Sequence, residues 1–189
     1  MIKNGYKVSH ISTEPQGELL GATFSFPMGY NPTVKLPQTT WPDFLSLLSK
    51  AIEYYIKPDL IISGIQSCTI PLAFSNASVN AFRSLYYLIG LAPDGIICSI
   101  NPNDPVEMIK RNVAAMEMVS KAKVLFYTIS PIEIEHSVNK GNILVSKQRM
   151  LSNKEFAERI SYYKKQLNAP VMDILNQDNQ INILNIMCH

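Results

Sequence analysis

Polar residues cluster at the ends of short apolar runs in this chain, and they hold most of the chemistry it offers. The clusters are Ser12-Thr13-Glu14 with the following Gln16 and Gly17, Ser63-Gly64-Ile65-Gln66, Asn101-Pro102-Asn103-Asp104, and Ser130-Pro131. If the runs are parallel strands, these are their carboxyl ends, where α/β folds bind ligands. The residues expected to contact a ligand or partner are therefore Thr13, Glu14, Gln16, Gly17, Ser63, Gly64, Gln66, Asn101 and Asp104. Such tips are polar and marked by Gly and Pro, as a site is and as a plain connecting loop is.

No complete catalytic pattern accompanies them. Among the eight glycines there is no G-x-x-x-x-G-K-[ST], no G-x-G-x-x-G and no G-x-S-x-G. Of the three histidines, His10 falls within a strand-like segment, as a packed or face-exposed residue. His136 lies in an irregular stretch, and His189 follows Cys188 at the end of the sequence, where fraying is expected. No spacing of these groups suits zinc. Cys68, in a loop after a strand, is the only cysteine placed like a nucleophile, and no basic residue stands near it in sequence to lower its pKa. No catalytic residue and no metal site is assigned.

The elements that would carry these tips alternate between strand and helix. Tyr6 to Ser12 alternates as a strand, and Gly5 before it resembles a helix C-cap. Residues 13 to 40 are broken repeatedly by Gly and Pro and read as loop. Trp41 to Ile56 is amphipathic at helical spacing, with Thr40 as a candidate N-cap and Pro42 in the first turn. Leu60–Ile62 is a short, wholly apolar run, which suits a parallel strand covered on both faces.

Ser78 to Ile89 reads as a helix capped by Gly90, and Ile96 to Ile100 as another buried strand. Pro105 to Ala122 follows as a helix, with Asn103 or Asp104 as its cap and Glu107 in its first turn. Lys123 to Ile129 is a strand, and residues 130 to 150 are irregular or form a hairpin around Asn139-Lys140-Gly141. Ser152 to Glu155 has capping-box spacing ahead of a helix to Asn168. A short strand over Ala169 to Ile174 and a final helix from about Asp178 complete the order. Alternation of this kind predicts an α/β fold with a mostly parallel, doubly wound sheet.

The 189 residues suit a single domain with a sizeable core. Charged residues make up only 17% against 47% apolar, and a surface so poor in charge favours a partner or a self-interface. A net charge of +2, with Lys110-Arg111 and Lys164-Lys165 as isolated pairs, argues against nucleic acid. Three cysteines without a CxxC pair fit a reducing compartment. There is no signal-peptide pattern at the start and no run of roughly 18 apolar residues, so a cytoplasmic setting without a membrane span is expected.

Pro58-Asp59-Leu-Ile-Ile-Ser63-Gly64, with Gln66-Ser67 and Pro71 after it, resembles the second conserved strand of dethiobiotin synthetase-like P-loop proteins, typically Asp-apolar-apolar-apolar-Glu-Gly. Asn4 to Val8 followed by Thr13 to Gly17 looks like the stretch after the P-loop helix in that class, and Leu91 to Cys98 with Asn101-Pro102 like its next core strand. More narrowly, nearly the whole chain is similar to the C-terminal half of a bacterial peptide maturation system protein family. The matching stretches are residues 5 to 9, Lys57 to Ile65, Pro93 to Ile100 and Ala169 to Asn176.

The resemblance implies a P-loop-NTPase-like core that lacks its first strand and phosphate loop, in a protein assisting maturation of a ribosomally made, modified peptide. It also marks departures. The phosphate-holding loop and lysine are not in this sequence, and Ser63 stands where an acidic residue is expected, so a charged magnesium partner is lost there. Glu14, Asp94 and Asp104 remain near other tips.

A missing central strand would leave a gap. Its neighbours would close up, another chain would supply the strand, or this chain is the C-terminal part of a longer protein. The expected role is non-catalytic: binding the peptide, a peptide-modifying enzyme, a missing N-terminal half or a second copy, with no cofactor beyond weak nucleotide binding. The alternatives are a nucleotide-dependent ligase- or kinase-like enzyme whose P-loop lies on that N-terminal part, and a structural or dimerisation module.

Overall fold

The computed structural model describes residues 5–28, 33–65, 78–138 and 144–187. Its strands are β1 (Val8–Ser12), β2 (Phe24–Ser25), β3 (Leu60–Ser63), β4 (Gly95–Ile100), β5 (Lys123–Ile129), β6 (Ile132–Val138), β7 (Leu144–Met150) and β8 (Val171–Asp173). Its α-helices are α1 (Trp41–Ile56), α2 (Ser78–Leu91), α3 (Val106–Ser120), α4 (Asn153–Gln166) and α5 (Gln177–Met187). Residues 1–4, the Asn139–Gly141 turn, Gln66, Cys68, Pro71, Cys188 and His189 lie outside the described residues, as does the side chain of His136.

The α/β character and the parallel strands agree with the sequence reading, and among the described residues the strands pair in three separate sets. These are two three-stranded parallel sheets, β2-β1-β3 and β4-β5-β8, and an antiparallel hairpin β6-β7. Among the described residues β3 bonds to β1 and β4 to β5, with no ladder between β3 and β4. Alternation of strand and helix predicts parallel pairing, yet it carries no information about which strands are neighbours. The chain divides into two compact units, Met1–Pro93 with Met118–Lys121, and Asp94–Glu117 with Ala122–His189.

In the first unit Ile11, Phe26, Trp41, Leu45, Ile52 and Tyr87 form a core. Phe26 lies edge-on to Trp41 at 5.2 Å between ring centroids, a favoured aromatic geometry. Helix α1 begins where the pattern places it, with Pro42 in its first turn, but Thr40 does not cap it. The Thr40 hydroxyl donates instead to the Pro37 carbonyl at 2.7 Å, in a short 3-10 turn that runs straight into the helix. Gly90 is not a cap either. It lies inside α2, where an added Cβ would sit 2.7 Å from Pro42 Cα, so its lack of a side chain lets α1 and α2 approach. The left-handed residue after α2 is Ala92, with φ 43°. β3, expected to be covered on both faces, is half-buried at all four positions.

The second unit packs Ile100, Ile109, Val113, Tyr127, Ile129, Phe156, Tyr163 and Val171 into its own core. The stretch 130 to 150 is the antiparallel hairpin, with Ile132 opposite Met150 and Glu133 opposite Arg149. Helix α4 starts with the capping box read from the sequence: the Ser152 hydroxyl accepts from Glu155 N–H, and the Glu155 carboxylate accepts from Ser152 N–H at 2.9 Å.

Candidate functional site

The connections of the first sheet reverse at β1. The chain leaves β1 for β2 on one side, and β3 then pairs on the other. In open parallel sheets such a reversal opens a crevice at the carboxyl ends, and ligands bind there. The register Ile11 opposite Ser63 brings the Thr13–Gly17 loop beside Ser63 and Gly64. Six of the nine expected residues thus share one strand-end face of the first unit.

The chain itself shapes this face. After β1 the backbone makes a turn, with Gly17 N–H donating to the Glu14 carbonyl at 3.1 Å. A Cβ on Gly17 would lie 2.4 Å from both Ser12 Cβ and Ser12 Oγ and 2.7 Å from Ser25 Oγ, so only glycine fits this close approach. Glu18 and Ser25 close the loop reciprocally. Glu18 N–H donates to Ser25 Oγ at 3.1 Å, and Ser25 N–H donates to Glu18 Oε1 at 3.0 Å. Ser12 Oγ accepts from Glu14 N–H at 3.1 Å, and Thr13 is buried. The apex that remains outward is Glu14, half-buried, with Pro15 and Gln16 exposed. Among the described residues the Glu14 carboxylate has no hydrogen-bond or ion-pair partner.

Ser63 faces inward to the fold. Its hydroxyl lies 3.3 Å from the Ile11 carbonyl and 2.7 Å from the Tyr87 hydroxyl. With the serine hydrogen on the carbonyl, Tyr87 donates to Ser63. Tyr87 is fully buried, and that burial pushes its phenol up to about 12, against a smaller lowering by Ser63. The pair is a neutral clamp between β3 and α2. Tyr87 was not marked by the sequence, because in an apolar helical run nothing distinguishes a core tyrosine that bonds a strand 24 residues away.

Asn101 and Asp104 belong to the second unit, where they hold a turn. Asn101 N–H donates to Asp104 Oδ2 at 2.8 Å. The Asn101 amide reads both backbone groups of Ile134 in β6: its Nδ2 donates to the Ile134 carbonyl at 3.1 Å, and its Oδ1 accepts from Ile134 N–H at 3.2 Å. Asn103 Nδ2 donates to the same carbonyl at 3.2 Å. From α4, the Tyr163 hydroxyl reaches the carbonyls of Asn101, Pro102 and Asp104 at 3.2, 3.1 and 2.8 Å. The Asn101 side chain thus fastens the β4 tip to the hairpin, the Asp104 carboxylate closes the tip's own turn, and the tip's backbone carbonyls hold α4 through Tyr163.

Other reactive groups are quiet. Burial, and then the charge of Asp104, push the Cys98 thiol up to about 11, so it stays protonated near neutrality. His10 is exposed, and its backbone N–H donates to Thr23 Oγ1 at 3.0 Å. In the second unit Glu133, 7% exposed at its side chain, pairs with Arg149 at 2.9 Å, and Arg149 also reaches Glu155 at 2.9 Å. This chain of charges joins the hairpin to the start of α4. Among the described residues no group of three or more His, Cys, Asp or Glu side chains is placed to hold a metal ion, and no helix is long and apolar enough to cross a membrane.

No protein-family model matches the chain, and no curated protein sequence matches it. Among solved structures, a nucleotide-binding protein from Archaeoglobus fulgidus in complex with ADP is similar, at 12% identity and a TM-score of 0.43, over 98% of this chain and 74% of that one. At that score the likeness carries neither a fold assignment nor a function.

Proposed function

We propose that this chain is a non-catalytic accessory protein that assists maturation of a ribosomally made, modified peptide, acting by binding the peptide or a peptide-modifying enzyme. The contact face is the reversal point of the first sheet, with Glu14 and Gln16 outward on the Thr13–Gly17 loop beside Ser63 and Gly64. The observation that carries the binding role is the convergence of these two strand ends at the one place where the first sheet changes direction. The assignment to peptide maturation rests on the sequence resemblance, an associational warrant.

The same reversal point also favours a second reading, a nucleotide-dependent ligase- or kinase-like enzyme with its phosphate loop on another segment. Ser63, where the resemblance would place the magnesium carboxylate, does not fit that role, and among the described residues Glu14 is the one carboxylate on this face. Ser63 supplies no charge, and its hydroxyl is held between Ile11 and Tyr87. The binding reading is therefore preferred.

Co-expression with the products of the flanking genes tests it. The tagged chain should retain a precursor peptide or its modifying enzyme, and E14A/Q16A should weaken retention about tenfold, the loss of one or two hydrogen bonds to a charged or polar group. Retention of none of these products would sink the reading. Retention unaltered by E14A/Q16A would move the contact face elsewhere.

A further inference from the structure

Helix α2 contains one charged residue, Arg83, in a run that is otherwise apolar or neutral. The residue is half-buried, and its Nε is shut off from water without a hydrogen-bond partner. Among the described residues the guanidinium has no ion-pair partner either. The carboxylates of the first unit are Glu14, Glu18, Asp43, Glu53 and Asp59, and none of them pairs with it. Residues 1–4, 29–32 and 66–77 contain no Asp or Glu. A partly buried cation with no opposite charge costs folding free energy, and such groups are ordinarily paired.

Arg83 also has a defined place. It stands four residues before Tyr87, so the two share a face of α2 and lie about 6 Å apart along its axis. The Tyr87 hydroxyl meets Ser63, the last residue of β3. The cation is thus anchored one helical turn from the residue that holds a strand end of the contact face. Tyr87 packs on Phe26, whose ring lies 5.2 Å from that of Trp41, and Trp41 Nε1 is a second buried N–H without a partner. What the surroundings of Tyr87 lack is an acceptor.

We propose that Arg83 binds the carboxylate of an acidic side chain of the peptide. This rests on the reading of the first unit's strand ends as a peptide contact. A guanidinium holds its charge at any physiological pH and offers N–H groups in a planar fork that matches the two oxygens of a carboxylate. Glu14, outward at the same strand ends, favours a singly charged carboxylate over a phosphate, whose greater negative charge it repels.

Two measurements on the full chain test this, and neither needs a product of the flanking genes. The first is thermal unfolding of R83M without ligand. Methionine keeps most of the length and removes the unpaired charge, so the variant should melt about 2 °C higher than wild type. An arginine kept for the fold gives the opposite sign, and an unchanged or lower melting temperature would overturn the inference. The second follows the Arg83 Nε–H in proton–nitrogen correlation spectra, where R83M identifies the signal by its loss. The tripeptide acetyl-Gly-Glu-Gly-amide at millimolar concentration should shift it saturably, and acetyl-Gly-Gln-Gly-amide should not. No shift, an equal response to both peptides, or a larger response to inorganic phosphate would each contradict the proposal. If co-expression retains no flanking product but this titration succeeds, the carboxylate site stands and the maturation reading falls. If retention succeeds and the titration fails, the site alone falls.

Discussion

Glu155 shows how much one side chain does in this protein. It closes the α4 capping box with Ser152 and pairs with Arg149, and the bonds from Ser152 and then Arg149 hold its carboxyl at about 2. Because that value lies below its ordinary 4.5, its contribution to stability is present above pH 4.5 and is lost as pH falls toward 2. E155Q should therefore flatten the acid limb of a denaturation profile between those values, with little effect on its shape near neutrality. Tyr163 offers a second test. Its hydroxyl is the contact from α4 to the Asn101–Asp104 turn, and burial pushes its phenol up to about 12, so it remains a donor throughout the neutral range. Y163F should lower unfolding free energy by about 1–2 kcal/mol in urea, the usual cost of losing a buried hydrogen bond.

The elements differ in how openly the sequence announces them. α1 and α4 are legible because their signals are local: apolar spacing over Trp41–Ile56, and the Ser152–Glu155 box. β2 looks like loop in the sequence because its two residues are strand only through pairing, Phe24 with Ile11 and Ser25 with Ser12. Gly90 resembles a cap in the sequence because glycine commonly ends helices, whereas its smallness serves a helix contact and Lys57, Ala92 and Lys121 take the positive φ values at helix ends. G90A separates these roles. Alanine is the better helix former by about 1 kcal/mol, so a cap-free gain would stabilise. The clash with Pro42 instead predicts a net loss of about 1–2 kcal/mol and a lower melting temperature. The polar strand ends were legible as loops, but the partners of Asn101 and Ser63 were not. Ile134 and Tyr87 lie 33 and 24 residues away, and nothing local encodes those bonds.

For the whole molecule, the two strand-end clusters have different fates. In the second unit the polar groups of Asn101 and Asp104 hold the hairpin and α4 in place. In the first unit Glu14 and Gln16 stay outward at the sheet's reversal point, while Ser63 is turned to Tyr87. On the proposed reading this face binds a peptide or a protein, and position 63, where the sequence resemblance would place a magnesium carboxylate, carries a serine held by Tyr87. A thermal-shift titration of the full chain with ATP and GTP, with and without magnesium, tests this most directly, since a ligand that binds only the native state raises the melting temperature once its concentration exceeds Kd. The account predicts no shift at millimolar nucleotide. A saturable shift that depends on magnesium would contradict it and place the nucleotide-dependent enzyme first.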